Sequence, residues 1–246
     1  MLLLLIAITT FTATILGGFI AFKNRDRLHL VMGFTAGVLL GVVAFDLLPE
    51  IFHIAEETAT DTVVPMIAFV AGFLAFHILE KLTIIHHLHE GEDDHERDGK
   101  IPEVGVVSAL ALAGHSFLDG AAIGLAFQVN VGVGFAVALA VVAHNFSDGL
   151  NTVTLMLAHN NSTKRARRLL LLDAVAPMLG AASTLLFTLT EAQLLLFLSF
   201  FAGFLLYIGA SNILPQAHAK SPSRLTLAMT ILGTVLIFLV TRVDFH

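Results

Sequence analysis

The sequence predicts an all-α, polytopic membrane protein with eight transmembrane helices, and its composition, its apolar runs and its charge pattern all support this. Hydrophobic residues make up 57% of the chain and charged residues 13%, and the mean hydropathy is +0.87. Soluble domains do not combine so much apolar with so little charged sequence. Each apolar run is long enough to cross a hydrocarbon core of about 30 Å as a helix.

The eight predicted spans leave little chain outside the membrane, so we expect residues 1–246 to form one transmembrane domain. The predicted bounds are 1–22, 28–52, 62–85, 101–127, 129–158, 166–190, 192–217 and 224–241. We expect the first span to be retained, because it has neither a basic leader nor a small-residue cleavage site. Cysteine is absent, which excludes disulfides and thiolate metal ligands.

The basic residues predict the orientation of the spans. Of the 13 Lys and Arg residues, all except Arg242 fall in loops that an eight-helix chain places on one side. The positive-inside rule makes that side cytoplasmic, with both termini outside. The opposite side carries Glu56, Glu57, Asp61 and Glu191, which suits it to attracting cations rather than nucleic acid. The small size and short loops favour a bacterial plasma (inner) membrane.

The second and seventh spans share a sequence repeat. Phe34 to Pro49 reads FTAGVLLGVVAFDLLP and Phe200 to Pro215 reads FFAGFLLYIGASNILP, with about half of the positions identical. In the predicted topology these two spans cross the membrane in opposite directions, so the repeat is inverted. An inverted repeat around a polar site is typical of secondary transporters and channels.

Two polar motifs interrupt the fourth and fifth spans near their centres. HSFLDG begins at His115 and HNFSDG at His144, so each His stands four residues before an Asp, Asp119 or Asp148. Residues at i and i+4 share a helix face about 5–6 Å apart, which gives each span a nitrogen and an oxygen ligand. An Asp at mid-membrane costs about 2.5–3.5 kcal/mol and is functional by default. The alternative, that each Asp only hydrogen-bonds its own His, explains neither the duplication nor the matched depth.

The donor types at these motifs indicate a divalent metal ion. Imidazole and carboxylate without thiolate suit Zn²⁺, and also Fe²⁺, Mn²⁺, Co²⁺ or Cd²⁺. Ser116, Asn145 and Asn151 offer further oxygen donors, and their alternative role is hydrogen bonding between helices. Gly120 and Gly124 form a G-x-x-x-G pattern, which predicts close helix packing rather than chemistry.

Polar residues in other spans indicate a route to the two motifs. Asp46, Glu50 and His53 lie about one helical turn apart near the outer end of the second span and are placed to receive cations from the acidic side. Solvation of the helix end is their alternative role. Asp173 in the sixth span is predicted to be either a supporting partner of the centre or an interfacial residue.

The longest polar insertion, residues 86–100, lies between the third and fourth spans on the cytoplasmic side. It has no apolar period and is predicted to be a mobile loop. Its histidines stand among acidic residues, a composition that favours weak, exchangeable metal binding over simple solvation. These histidines are His86, His87, His89 and His95.

The motifs resemble those of the ZIP (Zrt-, Irt-like protein) family of divalent metal transporters, and the resemblance extends over nearly the whole chain. It implies movement of zinc or a related ion into the cytoplasm through a 3+2+3 helix bundle with a central, often binuclear site. It implies divalent metal ions and the lipid bilayer as partners, a homodimer as one open assembly, and neither enzymatic activity nor a catalytic cofactor. By the matching motif positions, the implied metal-contacting residues are His115, Ser116, Asp119, His144, Asn145 and Asp148.

The motifs also depart from the commonest family pattern, His-Asn-any-Pro-Glu-Gly. Leu118 and Ser147 replace the prolines, Ser116 replaces an asparagine, and aspartate replaces glutamate in both motifs. In the sixth span, Ala176 stands where the family often has a glutamate. These differences bear on the family's local helix distortion, on metal preference and on the ligands of a second metal site.

Two other functions fit part of the pattern. Cation diffusion exporters also use His-x-x-x-Asp within a helix, but they typically have six spans. A zinc-dependent intramembrane hydrolase needs an open ligand position and a general base beside the bound water. The sequence has no His-Glu-x-x-His motif and nothing else that marks such a base. The importer is therefore the favoured interpretation.

Overall fold

The computed structural model describes residues 2–23, 28–89, 102–219 and 223–242, which are helical apart from short turns and include no β-strand. The described chain forms eight helical segments, α1 to α8. Their bounds are α1 Leu2–Lys23; α2 Leu28–Val42, Val43–Leu47 and Leu48–Glu57; α3 Val63–His89; α4 Pro102–Val129; α5 Val131–Ala158; α6 Thr163–Ser183 with a 3-10 turn at Thr184–Leu186; α7 Glu191–Tyr207, Ile208–Ile213 and Leu214–Ala219; α8 Arg224–Val240.

Six of the described segments are long and apolar enough to cross a membrane, namely α1, α2, α4, α5, α6 and α7. The other two contain shorter apolar stretches, Val63–Ile78 in α3 and Arg224–Val240 in α8. The predicted all-helical membrane protein is confirmed at this level. The count of eight spans and their 3+2+3 arrangement stay predictions.

Some helices end later than hydropathy predicted. α2 continues to Glu57 instead of residue 52, and α3 continues to His89 instead of residue 85. Hydropathy marks where the apolar sequence stops, whereas an established helix extends into water at little cost. His86, His87 and His89 therefore belong to the last turns of a helix and not to a loop. Residues 90–101, which include His95, lie outside the described residues.

α6 is shifted toward the N-terminus relative to its predicted span of 166–190. It begins at Thr163 because the Ser162 hydroxyl accepts a hydrogen bond from the Arg165 N–H and caps the helix. Its helical turns end at Leu186. The basic sequence that hydropathy excluded from the span is thus its first turn.

The sequence repeat is also visible in the backbone. α2 and α7 each contain a π-helical segment, Val43–Leu47 and Ile208–Ile213, at equivalent places in the repeat. Pro49 and Pro215 follow these segments. A proline has no N–H and its ring clashes with the carbonyl group four residues earlier, which falls inside each π segment. The wider π turn relieves that clash.

Glycines allow the central helices to pack closely against their neighbours. A Cβ atom on Gly120 would lie 1.9 Å from the carbonyl oxygen of Pro177 in α6, and one on Gly124 would lie 2.0 Å from a threonine hydroxyl of the following 3-10 turn. The predicted close packing is therefore confirmed. On the other side, a Cβ atom on Gly149 of α5 would lie 2.0 Å from the carbonyl oxygen of Thr14 in α1. α4 is thus held against α6, and α5 against α1.

Candidate metal centre

Four buried side chains from α4 and α5 converge inside the bundle. They are His115, Asp119, His144 and Asp148, and one ligand atom from each lies within 4.8 Å of the other three. None of the four is more than 6% exposed. Both helices are continuous α-helix through their motifs, so the i, i+4 spacing places each His and its Asp on the same face.

Asp119 bridges the two helices. Its Oδ2 lies 3.2 Å from His115 Nε2 on the same helix and 3.1 Å from His144 Nε2 on α5. Asp148 Oδ2 lies 3.7 Å from His144 Nε2. Ligands on a tetrahedral zinc ion with bonds of about 2.0–2.2 Å are separated by about 3.3–3.6 Å. The observed separations bracket that range, so these donors have the dimensions of a zinc site.

The hydrogen bond at the other side of the His144 ring determines what the ring offers to the centre. His144 Nδ1 lies 2.9 Å from the Ala140 carbonyl oxygen, and a carbonyl only accepts, so Nδ1 carries a proton. In the neutral ring, Nε2 then presents a lone pair to Asp119 Oδ2. Two such electron-rich atoms at 3.1 Å require a cation or a proton between them. Ligating histidines in metal sites are oriented in this way.

Packing orients the His115 ring. The ring stacks on His144 with centroids 5.6 Å apart and contacts Phe204 at 4.9 Å and Phe76 at 5.4 Å. Its Nδ1 is buried and has no hydrogen-bond partner among the described residues. The aromatic side chains from α3 and α7 therefore form an apolar wall on one side of the centre.

Other buried polar atoms around the motifs also lack partners within the described chain. They are Asp119 Oδ1, Asp148 Oδ2, Ser147 Oγ and both side-chain polar atoms of Asn145. Leaving a buried polar group unpaired costs about 1–3 kcal/mol. Such groups are rare in folded proteins, and a cluster of unpaired oxygens is expected where a cation enters. Asn145, predicted from the sequence, lies among them, whereas Asn151 is only half-buried.

Asp173 of α6 is completely buried and joins α6 to both motif helices. Its Oδ1 accepts a hydrogen bond of 2.6 Å from the Ser116 hydroxyl of α4, and its Oδ2 accepts one of 2.9 Å from the Thr152 hydroxyl of α5. The carboxylate is therefore a supporting partner of the centre, one of the two predicted alternatives. Sequence reasoning missed Thr152, whose available signal was its position four residues after Asp148.

The predicted route residues lie apart from the four central donors. Glu50 and His53 line a pocket of about 370 Å³ whose other polar residues are Glu57, Gln128, Asn130 and Glu191. Asn130 donates a hydrogen bond of 2.8 Å to Glu50, and His53 pairs with Glu57 at 3.4 Å. Asp46 is half-buried in the π segment of α2, and its Oδ2 has no hydrogen-bond partner among the described residues.

The fold and the site together define a class of protein: a helical membrane protein whose buried His and Asp donors are compatible with a metal ion. The family model described as ZIP Zinc transporter matches residues 85–241, more than half of the chain. The chain therefore belongs to the ZIP zinc transporter family.

Curated relatives extend the match over almost the whole chain. Zinc transporter ZupT of Akkermansia muciniphila is 27% identical over 250 residues, covering 93% of this chain and 92% of that protein. Zinc transporter ZupT of Streptococcus mutans is 23% identical over 238 residues, covering 91% and 90%. Zinc transporter foi of Drosophila melanogaster is 29% identical over 119 residues, and the chain spans only 17% of its length.

Proposed function

We propose that the protein imports Zn²⁺ into the cytoplasm, with the ion bound in transit by His115, Asp119, His144 and Asp148. The observation that carries this proposal is the convergence of these four buried donors from two spans. The two carboxylates balance the charge of one divalent ion, so the loaded centre is neutral. Neutrality matters because an uncompensated charge in this interior is strongly unfavourable.

Asn145 and Ser116 complete the proposed ligand shell. The Asn145 amide oxygen is buried without another partner among the described residues, so it is free to face an ion. The Ser116 hydroxyl gives its proton to Asp173, which leaves the oxygen lone pairs for a cation. Fe²⁺, Mn²⁺, Co²⁺ and Cd²⁺ suit the same donors and are proposed as competing substrates.

The direction of transport is inferred from the distribution of charge. The basic loops identify the cytoplasmic side in an eight-span, 3+2+3 topology with both termini outside. The pocket that contains Glu50, His53, Glu57 and Glu191 then opens on the outer side, where its carboxylates concentrate cations. Asp46 lies farther along α2 and is proposed as the next contact. The histidines at 86–95 are proposed as an auxiliary cytoplasmic binding segment, and the bacterial inner membrane as the location.

A flux assay in sealed proteoliposomes tests the proposal. The vesicles contain a metal-sensitive dye, and Zn²⁺, Fe²⁺, Mn²⁺ and Cd²⁺ are offered outside to the wild type and to Asp119→Ala/Asp148→Ala. We expect metal-selective flux that the double variant loses. Stoichiometric metal binding without flux of any metal would contradict the proposal and favour an intramembrane hydrolase. In vesicles of known orientation, flux only out of the cytoplasmic side would favour an exporter.

A further inference from the structure

We propose that Asp173 is a positioning residue that sets the separation of the two halves of the metal centre, and so discriminates zinc from larger ions such as cadmium. This inference rests on the proposed function. It concerns a carboxylate that lies outside the group of four central donors. Asp173 acts through Ser116 and Thr152, each of which belongs to a different motif helix.

The helices that carry the centre are built into two pairs. α4 packs against α6 so closely that a Cβ atom on Gly180 would lie 1.9 Å from the Phe117 carbonyl oxygen. α5 packs against α1 equally closely, since a Cβ atom on Gly17 would lie 1.8 Å from the Phe146 carbonyl oxygen. Backbone contacts of this kind fix the distance within each pair. The centre lies between the pairs, because it takes one His and one Asp from each.

The Thr152 to Asp173 hydrogen bond crosses from one pair to the other. Thr152 belongs to α5 and lies one helical turn beyond Asp148, on the same face. Asp173 belongs to α6 and also holds Ser116, the neighbour of His115. The bond therefore ties the α1–α5 pair to the α4–α6 pair within one turn of a proposed ligand on each side.

This bond is suited to fixing a distance. Both hydroxyls donate to an acceptor that is 0% exposed, so water does not compete for the carboxylate. Threonine is stiff about its first side-chain torsion, and Asp has a short side chain. Zinc binds at about 2.0–2.2 Å from oxygen and nitrogen donors, and cadmium, a larger ion, requires a wider arrangement. A fixed separation between the pairs therefore favours the smaller ion.

Thr152→Val tests the inference, because it keeps the shape of the side chain and removes its donor. Mutation of groups that orient metal ligands typically costs 10–100-fold in affinity, so we expect the KM for zinc to rise roughly 10-fold. We expect the KM for cadmium to change less, so that the preference for zinc falls. Thr152→Ser restores the donor and is expected to restore the preference. Thr14→Val is the matched control, because Thr14 is also a buried threonine but bonds within its own helix.

The outcomes separate this inference from the proposed function. If wild type moves no metal, the proposed function fails. If wild type transports zinc but Thr152→Val keeps the wild-type zinc-to-cadmium ratio, the positioning role of Asp173 is wrong. Equal losses for both metals that Thr152→Ser does not restore would assign the bond a purely structural role. Calorimetric titration of the purified protein with Zn²⁺ and Cd²⁺ gives the same comparison for any variant that folds but transports too slowly to measure.

Discussion

At the scale of single residues, the centre depends on donors that do little for folding. His144 is buried, and its Nε2 faces Asp119 and Asp148 at 3.1 and 3.7 Å. We predict that His144→Ala abolishes zinc flux, because it removes the donor that lies between both carboxylates, while the protein still folds. Zinc flux in proteoliposomes, together with the elution profile of the detergent-solubilised protein, measures the two effects.

His159→Ala is the matched control for this prediction. His159 Nδ1 lies 2.9 Å from the Leu155 carbonyl oxygen, the same i−4 contact that His144 makes with Ala140. His159 lies at the end of α5, outside the group of four donors. We expect His159→Ala to transport zinc at close to the wild-type rate. Normal flux through His144→Ala would remove His144 from the ion's path.

Asp148 illustrates a conflict between function and stability. Its Oδ2 is buried without a hydrogen-bond partner in the described residues, and Asp119 adds a second carboxylate nearby. We predict that Asp148→Leu stabilises the metal-free protein by about 1–3 kcal/mol, the cost of an unpaired buried polar group. Zinc should raise the melting temperature of the wild type but not of this variant, because a ligand stabilises only the state that binds it.

Thermal unfolding in detergent, with a chelator and then with added zinc, measures both effects for Asp148→Leu. A variant that unfolds at a lower temperature without metal, and is still stabilised by zinc, would show that Asp148 is structural and not a ligand.

The sequence was sufficient to predict the central donors because each His and its Asp lie on one helix, where the i, i+4 geometry is local. Ser116, Thr152 and Asp173 could not be connected in this way. Their hydrogen bonds join three helices, and no spacing within one helix reports the rotation of another. The sequence could indicate only that Asp173 was an unusual carboxylate in a span.

At the scale of helices, the contact between α4 and α6 gives a direct prediction. A Cβ atom on Gly120 would lie 1.9 Å from the Pro177 carbonyl oxygen, whereas one on Gly114 of the same helix would meet nothing within 4 Å. We predict that Gly120→Ala destabilises the protein by about 1–3 kcal/mol through overpacking. Gly114→Ala should be neutral or slightly stabilising, because alanine favours helix. Equal melting temperatures for the two variants would contradict the packing of α4 on α6.

Helix limits were predicted less well than helix identities. Hydropathy located every helix, but α2 and α3 extend beyond their apolar sequence because hydrogen bonding continues past the end of the apolar run. The π segments were not predicted, although Pro49 and Pro215 at matching places in the repeat were a usable signal. A proline restricts the turn before it, but it does not specify whether the helix bends or widens.

At the scale of the whole molecule, the absence of cysteine makes the topology easy to test. Asp61→Cys places a thiol in the loop between α2 and α3, and Ser162→Cys places one in the loop before α6. The proposed topology puts these loops on opposite sides of the membrane. We predict that a membrane-impermeant thiol reagent labels Asp61→Cys from outside intact cells, and Ser162→Cys only after the membrane is opened.

The unmodified protein provides the background for this labelling and should not react. Labelling of Ser162→Cys alone in intact cells would reverse the orientation and, with it, the proposed direction of zinc movement. Labelling of both thiols from outside would contradict the number of spans between these loops.

The paired π segments of α2 and α7 bear on how a carrier differs from a pore. Each occupies the C-terminal half of its helix, and the two helices run in opposite directions in the proposed topology. One weakened turn therefore lies toward the outer mouth and the other toward the inner mouth. With a flexible joint at each end of the ion's path, one mouth can widen while the other stays shut, so the membrane is never open from side to side.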